Sequence, residues 1–299
     1  MHNLCPLRTD WTEIVSHGDA PDATALRSHL RAVHRENAGF TERCAMRCRD
    51  TDGRTSYDWL IDAVDGSQHR KILDLACGSG PLLELCHQRF PAEVDLVGVD
   101  MAPEELALAK ARLPVGRARL IEAQAQSMAC LSDNSVDIVL CHWALTLMDP
   151  VAPVLAESAR ILAPGGRFAA IVDGDMDMAR GYRNVHDLIY GYVQVELPQY
   201  GAFDLGDPRV RDTDSLADLT RRAFPTASVE VHPNVVTMRG SAETIAEEAA
   251  GFFYAAFVLP PDRRAAMLTD LAAYLCANMD QGEQASFAMP INRLVVTLP

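Results

Sequence analysis

A chain of 299 residues with 48% hydrophobic and 23% charged side chains, 18 Gly and 17 Pro, has the composition of a globular protein, which excludes disordered, collagenous and fibrous classes. Its 27 Lys and Arg against 41 Asp and Glu leave a formal net charge of −14, which repels a phosphate backbone and argues against a nucleic-acid partner. The best uncharged apolar run, Ala249 to Leu259, is little more than half of the roughly 20 residues that a bilayer span takes, so no membrane segment is expected.

From Met1-His2-Asn3-Leu4-Cys5-Pro6 the chain meets Arg8, Asp10 and Glu13 before an apolar stretch builds. That is not the layout of a secretory signal, and a cytoplasmic location is expected. Of the eight cysteines, Cys77, Cys86, Cys130 and Cys141 lie in or beside apolar runs, where a thiol behaves as a small hydrophobe. Cys44 and Cys48 share one face if their segment is helical. Free thiols are expected, and no structural metal, because that close pair has no partner pair downstream.

In chain order, apolar residues first recur at helical intervals from Thr24 to Glu42 (Leu26, Leu30, Val33) and from Ser56 to Val64 (Tyr57, Leu60, Ile61). Residues 1–70 therefore read as an N-terminal helical cap. Strand-like and helical runs then alternate: Lys71–Ala76, Leu82–Arg89, Asp95–Asp100, Pro103–Arg112, Arg119–Ala123, Val136–His142, Val151–Leu162 and Arg167–Val172. This rhythm predicts a parallel sheet with crossover helices. An aromatic-rich segment, Tyr182 to Phe203, breaks it; residues 176–212 read as a lid or substrate insertion in a core spanning 71–299. A helix at Thr213–Phe224, a strand at Val229–Val236, helices at Ala242–Phe257 and Asp262–Asn278 and a last strand at Ile291–Leu298 follow. The expected fold class is α/β, a doubly wound sheet, mostly parallel with an antiparallel edge strand.

The stretch Lys71-Ile-Leu-Asp-Leu-Ala-Cys-Gly-Ser-Gly-Pro-Leu-Leu-Glu-Leu combines a buried strand, a glycine-bearing turn and a helix with Pro81 near its first position. Gly78 and Gly80 allow a ligand to approach the backbone. Asp74 precedes the turn, and Asp100 ends the next strand, where a carboxylate can accept both ribose hydroxyls of a nucleoside. A dinucleotide would set its pyrophosphate against Asp74 and would want a third glycine where Leu83 stands. A cofactor carrying a sulfonium and an ammonium suits this acidic mouth better.

The segment Leu73–Gly80 resembles the glycine-rich motif of class I S-adenosylmethionine (SAM)-dependent methyltransferases, which have a Rossmann-like fold. Val97-Gly-Val-Asp100-Met-Ala-Pro-Glu-Glu-Leu resembles that family's ribose-binding acidic loop, and Ile121–Ser127 its adenine contact. Ser135 to Leu145 resembles its fourth strand, and Leu162-Ala-Pro-Gly-Gly-Arg-Phe its turn into the fifth. The resemblance covers roughly residues 55–175. It implies SAM as cofactor, with Asp74 and the backbone of Ala76, Cys77, Gly78 and Gly80 facing the methionine part and Asp100 the ribose. Met101 would lie on one adenine face, Gln124, Ala125 and Gln126 along its edge, and the backbone of His142 at the methionine amino group. Two departures stand out: Ala76 replaces a motif glycine, and Gln124 the usual adenine-binding Asp.

On the acceptor side the residues leave alternatives open. Arg43, Arg47, Arg49 and Arg54 are candidates for pairing with the methionine carboxylate, or a solvated helix face. Tyr57 offers a hydroxyl or a π face to the sulfonium, or is a core aromatic. His142, beside Trp143, is a candidate general base or a structural histidine. Asp173, Asp175 and Asp177 follow the fifth strand, to orient an amine, hold Mg²⁺, or form a hydrated loop. Tyr182, Tyr190, Tyr192 and Tyr200 wall an acceptor or pack as a lid. The leading expectation is methyl transfer to an O, N or C nucleophile of a small molecule, with His142, Tyr57 and Asp175 as catalytic candidates; a homodimer is compatible with it. Two other readings remain: an azetidine-2-carboxylic acid synthase-like enzyme that cyclises SAM and releases methylthioadenosine, and a SAM-binding protein without a reaction.

Overall fold

A computed structural model describes residues 6–279 and 284–299, so Met1 to Cys5, where the segment read for a signal begins, lie outside the described residues. The chain divides into two compact units, one of Ser56–Asp175, Leu205–Asn234 and Ile291–Pro299, the other of Met1–Thr55, Met176–Asp204 and Val235–Pro290.

The sheet has seven strands. Its strands are β1 (Lys71–Leu75), β2 (Asp95–Asp100), β3 (Ala118–Glu122), β4 (Val136–His142), β5 (Leu162–Asp173), β6 (Ser228–Gly240) and β7 (Ala285–Thr297), in the order β3-β2-β1-β4-β5-β7-β6. β1 to β5 pair in parallel. β7 runs antiparallel to β5 in the register Arg167↔Thr297 to Asp173↔Ile291, so the expected antiparallel strand is β7, with β6 outside it. Helices α4 (Ser56–Ile61), α5 (Pro81–Arg89), α6 (Pro103–Arg112), α7 (Ala152–Ile161) and α9 (Thr213–Ala223) lie in the first unit. Ile72 to Leu75 and Ile138 to Cys141 are fully buried runs, as strands covered on both faces must be. Leu73, Val97, Val139, Phe168, Phe224 and Leu294 belong to one core cluster. Strand order reverses between β1 and β4, and at that switch point the carboxyl ends of β1, β2, β4 and β5 open on the same edge.

The second unit holds α1 (Asp10–Ser16), α2 (Ala23–Glu36), α3 (Phe40–Arg47), α8 (Tyr182–Glu196), α10 (Ala242–Phe252) and α11 (Pro261–Ala277). Aromatic rings dominate its interior. Trp11 stacks on His29 at 4.8 Å and meets the edge of Tyr200 at 5.4 Å, while Phe40 contacts Tyr254 and Phe257.

Several stretches differ from expectation, among them the expected helix Ala242–Phe257, which ends at Phe252. The helical run Thr24–Glu42 is two helices, because the Asn37 amide donates to the Val33 carbonyl and Gly39, at φ 77°, turns the chain into α3. The aromatic segment after β5 contains α8, which buries Tyr182, Val185, Ile189 and Val193 at helical spacing. β5 begins at Leu162, β6 runs on to Gly240 and β7 begins at Ala285, so each strand is longer than the run expected for it. The seven described cysteines are free thiols, with Cys44, Cys48, Cys77, Cys86 and Cys141 buried. Among the described residues no helix is long and apolar enough to cross a membrane.

Candidate functional site

The turn after β1 is a left-handed passage, with Ala76 at φ 57°, Gly78 at 51° and Gly80 at 80°. Gly80 is required twice over: its φ favours glycine, and a Cβ there would sit 2.9 Å from the Ala109 Cβ. Above Gly78 the space is open, a Cβ meeting only the Glu105 carboxylate at 3.8 Å. The Cys77 amide donates to the Val99 carbonyl at 3.0 Å, and the Gly78 amide to Asp100 Oδ2 at 2.9 Å. Asp100 Oδ1 accepts from the Ala102 amide at 2.8 Å, so this one carboxylate ties the turn to the end of β2.

Asp74 is 2% exposed, and its Oδ2 has no hydrogen-bond donor among the described residues. Burial, reinforced by the Asp100 charge, pushes its carboxyl well above the usual carboxylate range. Burial raises the Cys77 thiol as well, with Asp74, Asp100 and Glu105 all adding to the effect. Three carboxylates thus act on one short turn. Glu105 was missed by sequence reasoning: in the first turn of α6 it looks like a solvated dipole partner, yet it is 2% exposed. On the β3 side, the Ala123 amide donates to the Asp100 carbonyl and Gln124 bridges to Ser127. Gln124 is exposed, Ala125 buried, and Gln126 and Met101 half-buried.

At the end of β4, the His142 ring stacks on Tyr57 with centroids 3.7 Å apart and planes 16° off parallel. His142 Nε2 lies 2.9 Å from Ser56 Oγ, and burial lowers its pKa to about 3. The imidazole is therefore neutral near pH 7, with the nitrogen that a base would use engaged by Ser56. Ser56 too escaped sequence reasoning, since a serine opening a short helix reads as a cap. Trp143 follows at φ 62°, a left-handed conformation that costs a bulky residue, and its Nε1 donates to Asp173 Oδ1 at 2.6 Å. Asp173 is further fixed by its amide on Thr146 Oγ1 at 3.0 Å and by Arg211, whose Nε lies 3.8 Å from Oδ2. Burial raises the Asp173 carboxyl while Arg211 and Trp143 oppose the shift. Asp175, two residues on, is exposed.

The remaining candidates lie in the helical unit. Arg43 and Arg47 pair with Glu248 at 3.9 and 3.3 Å, and Arg49 Nη1 donates to the carbonyls of Met46 and Cys48. Asp177 pairs with Arg183 at 2.7 Å. Tyr182 stacks on Phe287, Tyr190 on His186, the Tyr192 hydroxyl donates to Asp270, and Tyr200 is buried.

Residues 73–170 match the family model described as a methyltransferase domain. An uncharacterized methyltransferase of Mycobacterium bovis is 34% identical over 185 residues, covering 60% of this chain and 63% of that protein. A demethylmenaquinone methyltransferase of Thermus thermophilus is 33% identical over 118 residues, 38% of this chain and 53% of its own. The match thus spans less than two thirds of either relative. Among solved structures, the YcgJ protein of Bacillus subtilis superposes with a TM-score of 0.55 at 16% identity, over 81% of this chain and 97% of that one. The [4+2]-cyclase SpnF does so at 0.58 and 17%, over 94% and 97%; both share the fold. The left-handed turn after β1 and the acid at the end of β2 both fall within residues 73–170, the stretch that matches the methyltransferase domain model.

Proposed function

We propose that the chain binds SAM at the turn after β1 and transfers its methyl group in line to an O, N or C nucleophile of a small molecule. The observation that carries this reading is the orphaned carboxylate oxygen of Asp74, grouped with Asp100 and Glu105 at an open glycine turn. Such a donor set repels a pyrophosphate and accepts a ligand whose sulfonium and ammonium are positive. The residues therefore fit the cofactor.

In this reading Asp74 and the backbone of Ala76, Cys77, Gly78 and Gly80 take the methionine part. Asp100 takes the ribose hydroxyls with the lone pairs left over from Gly78 and Ala102. Met101 covers an adenine face, Gln124, Ala125 and Gln126 its edge, and the His142 backbone meets the amino group. Bound SAM supplies an electrophilic methyl carbon. The Tyr57–His142 stack and Trp143, pinned by Asp173, hold the walls in place, and exposed Asp175 orients the acceptor. Orientation carries most of the rate in such a site, with side-chain base catalysis a small addition. The small-molecule acceptor is supported by relatives such as a trans-aconitate 2-methyltransferase of Methylobacterium radiotolerans, 33% identical over 110 residues, 37% of this chain and 40% of that one.

A second reading keeps SAM and changes the bond that breaks: the cofactor's own amine attacks its γ-carbon and expels methylthioadenosine. It is favoured by Asp173, a half-buried carboxylate fixed beside the aromatic wall by its hydrogen bond from Trp143. Incubation with SAM, alone and with candidate acceptors, separates the readings. S-adenosylhomocysteine appearing only with an acceptor supports methyl transfer. Methylthioadenosine in excess of a boiled control, without acceptor, overturns it in favour of cyclisation; SAM binding with neither product leaves a binding protein.

A further inference from the structure

Asp74 sits in the middle of the parallel sheet, paired in register with Gly98 of β2 and Leu140 of β4. Neither neighbour offers a polar side chain. The acids of the site are not equivalent: the two oxygens of Asp100 each accept a backbone amide, whereas Asp74 Oδ2 is buried without a donor. The groups facing Asp74 are Asp100 from β2, Cys77 from the turn, Cys86 from α5 and Cys141 from β4. All three thiols are pushed upward, chiefly by burial, and stay neutral near pH 7; no cation among the described residues acts on Asp74. An ionised carboxylate in that position is desolvated, unpaired and next to a like charge, the circumstances in which a carboxyl keeps its proton.

We propose, on the reading that SAM binds at this turn, that Asp74 is protonated in the cofactor-free protein and releases one proton for each cationic cofactor bound. The O–H bond of the carboxyl breaks, the proton passes to solvent, and the carboxylate left behind neutralises the incoming positive charge. Binding and proton release are then one linked event. Affinity for SAM rises with pH, approaching tenfold per unit where Asp74 is protonated in the free protein, and levels off above that range. Between about pH 5 and pH 7 the α-amino group of the cofactor does not titrate, so the slope belongs to the protein.

The test is titration calorimetry of the full chain with SAM at one pH near 6, in buffers of different ionisation heat, with methylthioadenosine as a ligand lacking both positive charges. The expected result is a binding heat that varies with buffer ionisation heat with a slope near one proton released for SAM, and a slope near zero for methylthioadenosine. In Asp74→Asn, isosteric with the protonated acid, the SAM slope falls to zero. SAM binding with buffer-independent heat overturns the proton release and leaves the cofactor reading intact, whereas no SAM binding by the wild-type chain overturns both. A slope that persists in Asp74→Asn, or is matched by methylthioadenosine, also overturns the proposal. Should Asp74→Asn fail to fold or to bind, the wild-type affinity for SAM across the same pH range decides: a rise approaching tenfold per unit supports the proposal and a flat profile overturns it.

Discussion

Asp74 sets the needs of the fold against those of the ligand. Its folded-state pKa is raised, so the native chain binds the proton more tightly than the unfolded chain does. Stability from this group is therefore greatest at low pH and falls as pH rises from the ordinary carboxylate value through the raised one. Asp74→Asn, which carries no charge to desolvate, is expected to raise the melting temperature of the cofactor-free protein at about pH 8, by an amount equivalent to ~1–3 kcal/mol, with a smaller gain near pH 5. Its SAM affinity is expected to fall. Equal melting temperatures at both pH values remove the burial argument. His142 gives the complementary case: with its pKa lowered to about 3, it is already neutral wherever the protein is assayed. Hence kcat/KM is expected to show no limb near pH 6–7 that disappears in His142→Gln, which pH profiles of both proteins check. Ala76, a Cβ-bearing residue at φ 57°, predicts that Ala76→Gly leaves stability unchanged or raises it by up to ~1 kcal/mol, the relief of strain exceeding the added unfolded-state freedom. Asp74, Asp100 and the two glycines were legible in the sequence because their types and spacing are local. Ser56 and Glu105 were not, because a capping serine and a first-turn glutamate look alike whether they face water or are buried.

Asp100 works at the level of elements, since one side chain joins β2 to the turn that leads from β1 into α5. Asp100→Ala removes two backbone-to-carboxylate hydrogen bonds, each worth ~1.5–3 kcal/mol, and strands the Gly78 and Ala102 amides. The expected outcome is a loss of that order in denaturant unfolding together with loss of SAM binding; a variant that binds SAM normally contradicts the role given to Asp100. Parallel strands read well from sequence at this scale because β1 and β4 are short, continuous apolar runs with little else that they can be. α8 was harder. Its buried positions 182, 185, 189 and 193 follow the helical period, but the intervening Tyr190 and Tyr192 give a composition that suggests a lid before it suggests a helix. The register of β7 on β5 was hidden for another reason: it is set between residues 167–173 and 291–297, which are remote in sequence.

At the scale of the molecule, a reading along the chain yields contiguous stretches, whereas the contacts group three separated segments into each unit. Only long-range packing carries that information, so the alternation of strands and helices revealed the sheet but not the interleaving. Every residue assigned to the cofactor falls in the unit that holds β1 to β5, and this placement makes a regional prediction. Binding stabilises whatever opens with the site: at a SAM concentration of ~100 Kd the gain is about 2.7 kcal/mol. In hydrogen exchange, protection on adding SAM is expected in segments 73–80, 97–106 and 121–128, with Asp100→Ala showing none of it. Because local openings report separately from global unfolding, protection confined to the helical unit would place the ligand elsewhere and detach it from the glycine turn. Protection at all three sheet-edge segments, absent in the variant, ties binding to the carboxyl ends of β1, β2 and β3 as one surface.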